Sequence, residues 1–295
     1  MKITKTILTL VLISTFVVNI RANCRINEAK TSLGIRNKRE DSTYSEDITP
    51  PRGDRAPSAD EMVEITSASS DNWYFHHTKD GARPPIPAEM SYITEHNGYF
   101  IGPDEKVIYL TFDAGYENGN VARILDILKE EEVPGAFFIL ENLVTRNTDL
   151  VKRMAEEGHS VCNHTASHRD MTKIQTKEEF EAELAKMEEI YKEYTGCEIA
   201  KFYRPPEGKL SEPNVKWADE LGYKTVMWSF AHADWDNAKQ PNPESATEKI
   251  LAETHNGEII LLHPTSATNA EILPTLIREW KKMGYRFGTL DELGG

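Results

Sequence analysis

The stretch Val107-Ile108-Tyr109-Leu110-Thr111-Phe112-Asp113-Ala114-Gly115-Tyr116-Glu117-Asn118-Gly119 decides how the chain is read. Its first six residues are apolar, β-branched or aromatic, apart from one threonine, which is the composition of a buried strand. The run stops on an acid, Asp113, and Gly115 and Gly119 make the next few positions turn-prone. A helical pattern begins at once, with Val121, Ile124, Leu125 and Leu128 on one face of Asn120–Glu131. A carboxylate at the C-terminal tip of a buried strand stands where α/β folds place their chemistry. It can equally cap the next helix.

Outward from this unit the same alternation continues to the end of the chain. Further strand candidates are Gly135–Leu140, His159–Asn163, Ile199–Tyr203, Tyr223–Trp228, Glu258–Leu262 and Tyr285–Leu290. Helical patterns lie between them. One is Lys177–Tyr194, introduced by a Thr176/Glu179 capping-box pattern, and another starts at Ser211 with Pro213 in its first turn. Gly158, Gly196, Gly222, Gly257 and Gly284 each fall between a helical pattern and the next apolar run, where helix ends use a left-handed residue. Repeated βα units imply a parallel sheet. The expected fold class is α/β, an irregular (β/α) barrel of about seven parallel strands, in preference to an open sheet.

Composition bounds the rest. The chain has 295 residues, 39% apolar, with 48 acids against 34 bases and a net charge of −14. That balance argues against a nucleic-acid partner, because phosphates demand a basic face. Three cysteines (Cys24, Cys162, Cys197) without a CxxC pair exclude a disulfide scaffold and a cysteine-rich zinc site. Cys162, in an apolar run, reads as a small buried hydrophobe; a Cys162–Cys197 bridge is open but unsupported.

Residues 1–22 carry Lys2 and Lys5 before the apolar run Ile7–Ile20, the shape of a signal peptide or an N-terminal membrane anchor. The run is short for a span of roughly 20 residues. The only membrane contact expected is through this segment. Residues 23–70 are polar, charged and proline-bearing, and read as a flexible linker. The folded domain is expected over 71–295, its first part, 71–106, being an extended lead-in marked by Trp73, Tyr74 and Phe75.

Five reactive residues come after five different strands: Asp113, His164, Arg204, Asp234 and His263. Barrel enzymes assemble their sites from several strand ends on one face. In Asn163-His164-Thr165-Ala166-Ser167-His168 the histidines at i and i+4 are read as sharing a face of a helical turn, a spacing that suits zinc. Arg204-Pro205-Pro206-Glu207-Gly208 makes a rigid turn presenting a fixed cation. Ser229–Asp236 (SFAHADWD) reads as a loop supplying Asp234 and Trp235, where a tryptophan beside acids suits sugar stacking or simple packing. His263 closes the run Ile259–Leu262 and can be an acid, a base or a core histidine. His76, His77, His96, His159, His232 and His255 show no comparable pattern and read as structural or surface residues. No GxGxxG loop or GxSxG elbow is present.

Together Thr111-Phe112-Asp113-Ala114-Gly115, His164-x-x-x-His168, Arg204-Pro205-Pro206-x-Gly208, Asp234-Trp235 and Leu261-Leu262-His263 resemble, in order, the polysaccharide deacetylases (NodB-homology, carbohydrate esterase family 4). The resemblance spans roughly residues 100–290. Tyr116-Glu117-Asn118-Gly119 and the Asn72–Phe75 lead-in look most like the delta-lactam-biosynthetic de-N-acetylase branch, which acts on N-acetylmuramic acid in peptidoglycan glycan strands of the spore cortex. The resemblance implies a secreted or tethered extracytoplasmic hydrolase with Asp113 as base, His263 as acid, Asp234 tuning His263 and Arg204 pairing with Asp113. It further implies a divalent metal, zinc by preference, on His164 and His168, and substrate contacts from Trp235, Pro205 and Tyr116. One departure stands out: the family's second aspartate, its third metal ligand, is Ala114 here. Three explanations compete: water completes the shell, Asp113 turns to the ion, or the protein is a degenerate glycan binder. Retained activity is expected, because base, acid, arginine and both histidines are present. The alternatives carried forward are an N-acetylglucosamine deacetylase and a non-catalytic wall-binding module.

Overall fold

The computed structural model describes residues 72–294. The proposed signal segment and linker lie outside the described residues, as does Cys24. The sheet contains β1 (Val107–Ala114), β2 (Ala136–Ile139), β3 (Ser160–Asn163), β4 (Ala200–Tyr203), β5 (Lys224–Thr225), β6 (Phe230–Ala231), β7 (Glu258–Leu262) and β8 (Arg286–Phe287). Every strand pairing is parallel, in the order β5-β4-β3-β2-β1-β7-β6. All seven expected strands are present, most of them shorter than expected. The additional strand, β6, is a correction: Phe230 and Ala231 belong to the stretch read as loop, yet they pair with Ile260 and Leu261. Two residues are too few for a period to show in sequence. β8 pairs with Val107 and Ile108 at the lower end of β1, on the edge that β2 takes higher up.

The helices are α1 (Asn120–Glu130), α2 (Glu141–Arg146), α3 (Thr148–Glu156), α4 (Lys177–Thr195), α5 (Glu212–Glu220), α6 (Pro243–Glu253) and α7 (Ala267–Lys282). The five glycines expected in the left-handed region all have positive φ, from 69° at Gly257 to 89° at Gly158. Only half of the capping box at α4 forms. Thr176 accepts from the Glu179 amide at 3.2 Å, while the Glu179 carboxylate pairs with Arg169 at 2.9 Å. Cys162 is a free, buried thiol, so the Cys162–Cys197 bridge is not formed.

Alternation along β1 separates two cores. Ile108, Leu110, Phe112 and Ala114 pack outward into the large cluster shared with α1 and α7. Val107 and Tyr109 point inward, against Phe138, Phe202, Val226 and Ile259. Successive side chains of a strand face opposite sides. Asp113 therefore continues the inward series 107, 109, 111 and emerges at the C-terminal mouth of the barrel.

No pairing joins β5 to β6. The lead-in closes that seam: Tyr99 bridges Val226, Ile101 bridges Glu258, and the Tyr99 amide and carbonyl bond to Thr225 and Met227 at 2.8 and 2.7 Å. Trp73 anchors the same segment, its amide donating to Gly208 and its indole to the Trp228 carbonyl. The lead-in is thus a working part of the barrel wall. No helix among the described residues is long and apolar enough to cross a membrane.

Candidate active site at the barrel mouth

A cavity of about 250 Å³ opens at the C-terminal ends of the strands. Asp113, Ala114, Tyr116, His164, His168, Trp235 and His263 all line it. Residues far apart in the chain meet here because each sits at a strand tip or in the loop directly after it.

Asp113 is held from below. The Arg204 guanidinium is wholly buried, and its Nη1 donates to Asp113 Oδ1 at 2.8 Å. Its Nη2 donates to Thr111 Oγ1 at 2.9 Å, its Nε to the Val226 carbonyl at 2.9 Å, and its plane lies 4.1 Å from the Phe138 ring centre. A planar fork suits this multiple anchoring, and a lysine could not reproduce it. Burial pushes the Asp113 carboxyl up, but the charges of Arg204, His164 and His263 and the Arg204 hydrogen bond outweigh it, leaving it below its ordinary value of 3.8. Asp113 is therefore an ionised acceptor at neutral pH.

His164 and His168 are adjacent, with ring centres 5.1 Å apart. They do not share a helical turn, which corrects the sequence reading. Thr165 and His168 have φ of 71° and 53°, and the segment is a loop. The buried Asn163 builds that loop, accepting from the Thr165 amide at 2.9 Å and donating to the Leu184 carbonyl and the Tyr223 hydroxyl. His164 Nδ1 lies 2.9 Å from the Arg204 carbonyl. A carbonyl only accepts, so the proton is on Nδ1 and Nε2 keeps its lone pair, 3.6 Å from Asp113 Oδ2. Burial drives the His164 pKa down to about 4, so the imidazole is neutral.

These two imidazoles have the donor chemistry for a divalent metal: one is neutral, correctly protonated and fixed by a backbone carbonyl. At the sequence position of the family's third ligand stands Ala114, which carries no donor atom and packs into the outer core at the edge of the cavity, and among the described residues no group of three His, Cys, Asp or Glu side chains is arranged to hold an ion. The residues present could supply two ligands, where a catalytic zinc normally takes three from the protein.

On the opposite wall, His263 Nδ1 lies 2.7 Å from Asp234 Oδ1, and the His263 amide donates to Asp234 Oδ2 at 2.8 Å. Asp234 is fully buried and does not line the cavity; it acts through His263. Burial pulls the His263 pKa down, but Asp234 and Asp113 reverse this and raise it above 6.5. Trp235 stands beside this pair, its ring centre 6.3 Å from that of His263. Tyr116, 40% exposed, lines the mouth, and its hydroxyl accepts from Asn237 Nδ2, on the loop that carries Trp235, at 2.5 Å.

Pro205 does not line the cavity. It is buried in the turn, and the wall is made by its neighbours Glu207 and Gly208. Glu207 adopts a left-handed φ of 58°, and a Cβ on Gly208 would come within 2.9 Å of Trp228. His232, which no sequence pattern marks, is buried and lines the cavity. Its partner, Asn269, lies 37 residues further on in α7, so no local spacing could have revealed the pair.

The polysaccharide deacetylase family model matches residues 101–226, and the chain belongs to that family, hydrolases of carbon–nitrogen bonds. Among its relatives is the peptidoglycan-N-acetylmuramic acid deacetylase PdaA of Bacillus subtilis, 39% identical over 225 residues, covering 75% of this chain and 85% of PdaA. The solved structure of B. subtilis PdaA, a family 4 carbohydrate esterase, gives a TM-score of 0.72 at 38% identity, over 75% of this chain and 95% of that one. A peptidoglycan-N-acetylglucosamine deacetylase of Bacillus cereus is 34% identical over 209 residues, covering 69% of this chain and 74% of that protein.

Proposed function

We propose that this protein removes the acetyl group from N-acetylmuramic acid residues of peptidoglycan, freeing the amine that closes into muramic δ-lactam in spore cortex. The observation that carries the reading is the placing of two oppositely tuned groups on one cavity: Asp113, paired with the Arg204 guanidinium and held below its ordinary value, and His263, hydrogen-bonded to Asp234 and held above its own. Amide hydrolysis needs a base for water and an acid for a poor leaving group. The likeness to PdaA supports the muramic branch over its same-class alternative.

Asp113 takes a proton from water, whose oxygen attacks the acetamide carbon. The carbon–nitrogen bond breaks as His263 gives its proton to the sugar nitrogen, and the products are acetate and a free amine. Arg204 keeps Asp113 ionised and aimed, and Asp234 raises the pKa of His263 and orients its ring. His164 and His168 would hold a divalent metal, zinc by preference, which when bound supplies Lewis-acid polarisation of the carbonyl. Trp235 and Tyr116 are the rings at the mouth against which a sugar ring stacks. An extracytoplasmic location, reached through the N-terminal segment, agrees with the substrate.

The test is acetate release from peptidoglycan glycan, with and without stem peptides, by the parent, Asp113→Asn and His263→Ala. Release at the variants' level by the parent would leave the wall-binding alternative. Free glucosamine instead of δ-lactam in the products would transfer the reading to the N-acetylglucosamine deacetylases.

A further inference from the structure

Asp234 is a fully buried carboxylate, and such a charge is tolerated only when its oxygens are filled. Oδ1 receives His263 Nδ1. Oδ2 receives the His263 backbone amide and, from a different element, Asn269 Nδ2 at 2.5 Å. Asn269 Nδ2 also donates to the His263 carbonyl at 3.1 Å. One side-chain amide thus grips the carboxylate that orients His263 and the backbone that carries it.

Asn269 is itself well fixed. It lies in the first turn of α7, where its backbone amide donates to the N-cap Ser266 Oγ at 3.1 Å. Its side chain is 1% exposed as a residue, so its carbonyl oxygen also needs a partner. That partner is His232, with Nε2 3.1 Å from Asn269 Oδ1. An amide oxygen only accepts, so His232 carries its proton on Nε2. The two acceptors, Asp234 Oδ2 and the His263 carbonyl, set which way the Asn269 amide faces, and His232 fills the amide oxygen that this leaves buried on the other side.

We propose that Asn269 and His232 are positioning residues for His263: Asn269 clamps Asp234 to the His263 backbone, and His232 holds the far end of that clamp by satisfying its buried amide oxygen. The proposal rests on the reading of His263 as the proton donor. Neither residue touches the reacting atoms through this network. Their contribution is to hold the imidazole within the narrow range of angles from which a proton reaches the departing nitrogen, where small misplacements are costly.

The experiment combines kinetics on peptidoglycan glycan with ¹⁵N NMR of the histidines in the full chain. Asn269→Leu is expected to lower kcat on the order of tenfold while KM stays within about twofold, as losses of supporting-shell groups do. The same variant is expected to shift the His263 titration midpoint and to abolish the His232 Nε2–H preference. His232→Phe, a gentler change should Asn269→Leu fail to fold, is expected to act in the same direction by about threefold. His232→Gln, whose amide can donate in place of Nε2–H, is expected to restore the parent rate. An unchanged kcat, or an unchanged His263 midpoint, in whichever of Asn269→Leu and His232→Phe folds would overturn the proposal. If the parent releases no acetate, the proposed function falls, and the His263 midpoint alone decides the positioning network.

Discussion

Arg204 supports Asp113 from inside the barrel, its buried guanidinium donating at 2.8 Å to a carboxylate that is 11% exposed at the mouth. Removing the cation leaves that carboxylate desolvated and unpaired. Arg204→Met is expected to cost about 3 kcal/mol of stability, the lower end for a broken buried pair because Asp113 keeps some solvent. It should also reduce acetate release by about 10²-fold or more, since Asp113 then binds its own proton near neutral pH. Denaturant unfolding and acetate assays check both; an unchanged midpoint would mean that Arg204 does not neutralise Asp113.

Ala114 occupies the sequence position of the family's third metal ligand and lines the same cavity as the two imidazoles. Ala114→Asp is expected to raise zinc affinity by about tenfold or more, because it completes a three-ligand set. His164→Ala should lose bound zinc. Metal content after dialysis against graded chelator measures both. Equal zinc retention by Ala114→Asp and the parent would place the ion elsewhere.

In the proposed reaction His263 must be protonated to act, and Asp234 holds its pKa above 6.5. Activity is therefore expected to fall as pH rises through that raised value. Asp234→Asn leaves burial opposed by Asp113 alone, so the alkaline limb of kcat/KM should move to lower pH and the neutral rate drop about tenfold or more. The ion pair also stabilises the fold. Its contribution is fully present below the unfolded value of 6.5 and is lost as pH rises through the folded one.

Glu258, at the base of β7, gives a second pH dependence with no bearing on the chemistry. Burial raises its pKa to about 8, and its Oε1 has no hydrogen-bond partner. The folded state therefore binds a proton that the unfolded chain releases above 4.5. Stability from this group is complete below that value and is lost as pH rises through about 8. Glu258→Gln is expected to match the parent near about pH 5 and to melt a few °C higher near about pH 9. Thermal melts at the two pH values decide it; equal differences at both would show that Glu258 ionises freely in the fold.

Much of this architecture is legible in the chain. Long apolar runs ending on Asp113 and His263, the five helix-end glycines and the amphipathic α1 each carry a local period or a residue with one conformational purpose. The hidden features depend on contacts without such a signal. β6 is two residues long. The His164 loop turns on two left-handed residues that are not glycine, so an i, i+4 spacing marks no helix there. His232 and Asn269 meet only because α7 starts above β7. Glu207 rather than Pro205 faces the cavity, since a rigid proline marks a turn but does not say which neighbour points inward.

The lead-in that stitches β5 to β7 has a consequence for how the molecule comes together. Tyr99 must find Val226, and Ile101 must find Glu258. Both pairings join residues separated by more than half of the domain, as the β1–β7 pairing also does, so they add to its long-range contacts. A fragment begun at residue 101, where the family match starts, would lack Tyr99 and Trp73 and keep an open slot beside β5. The earliest residues of the domain therefore belong to its closure, and the Gly208 and Trp228 side of the cavity leans on Trp73 for its support.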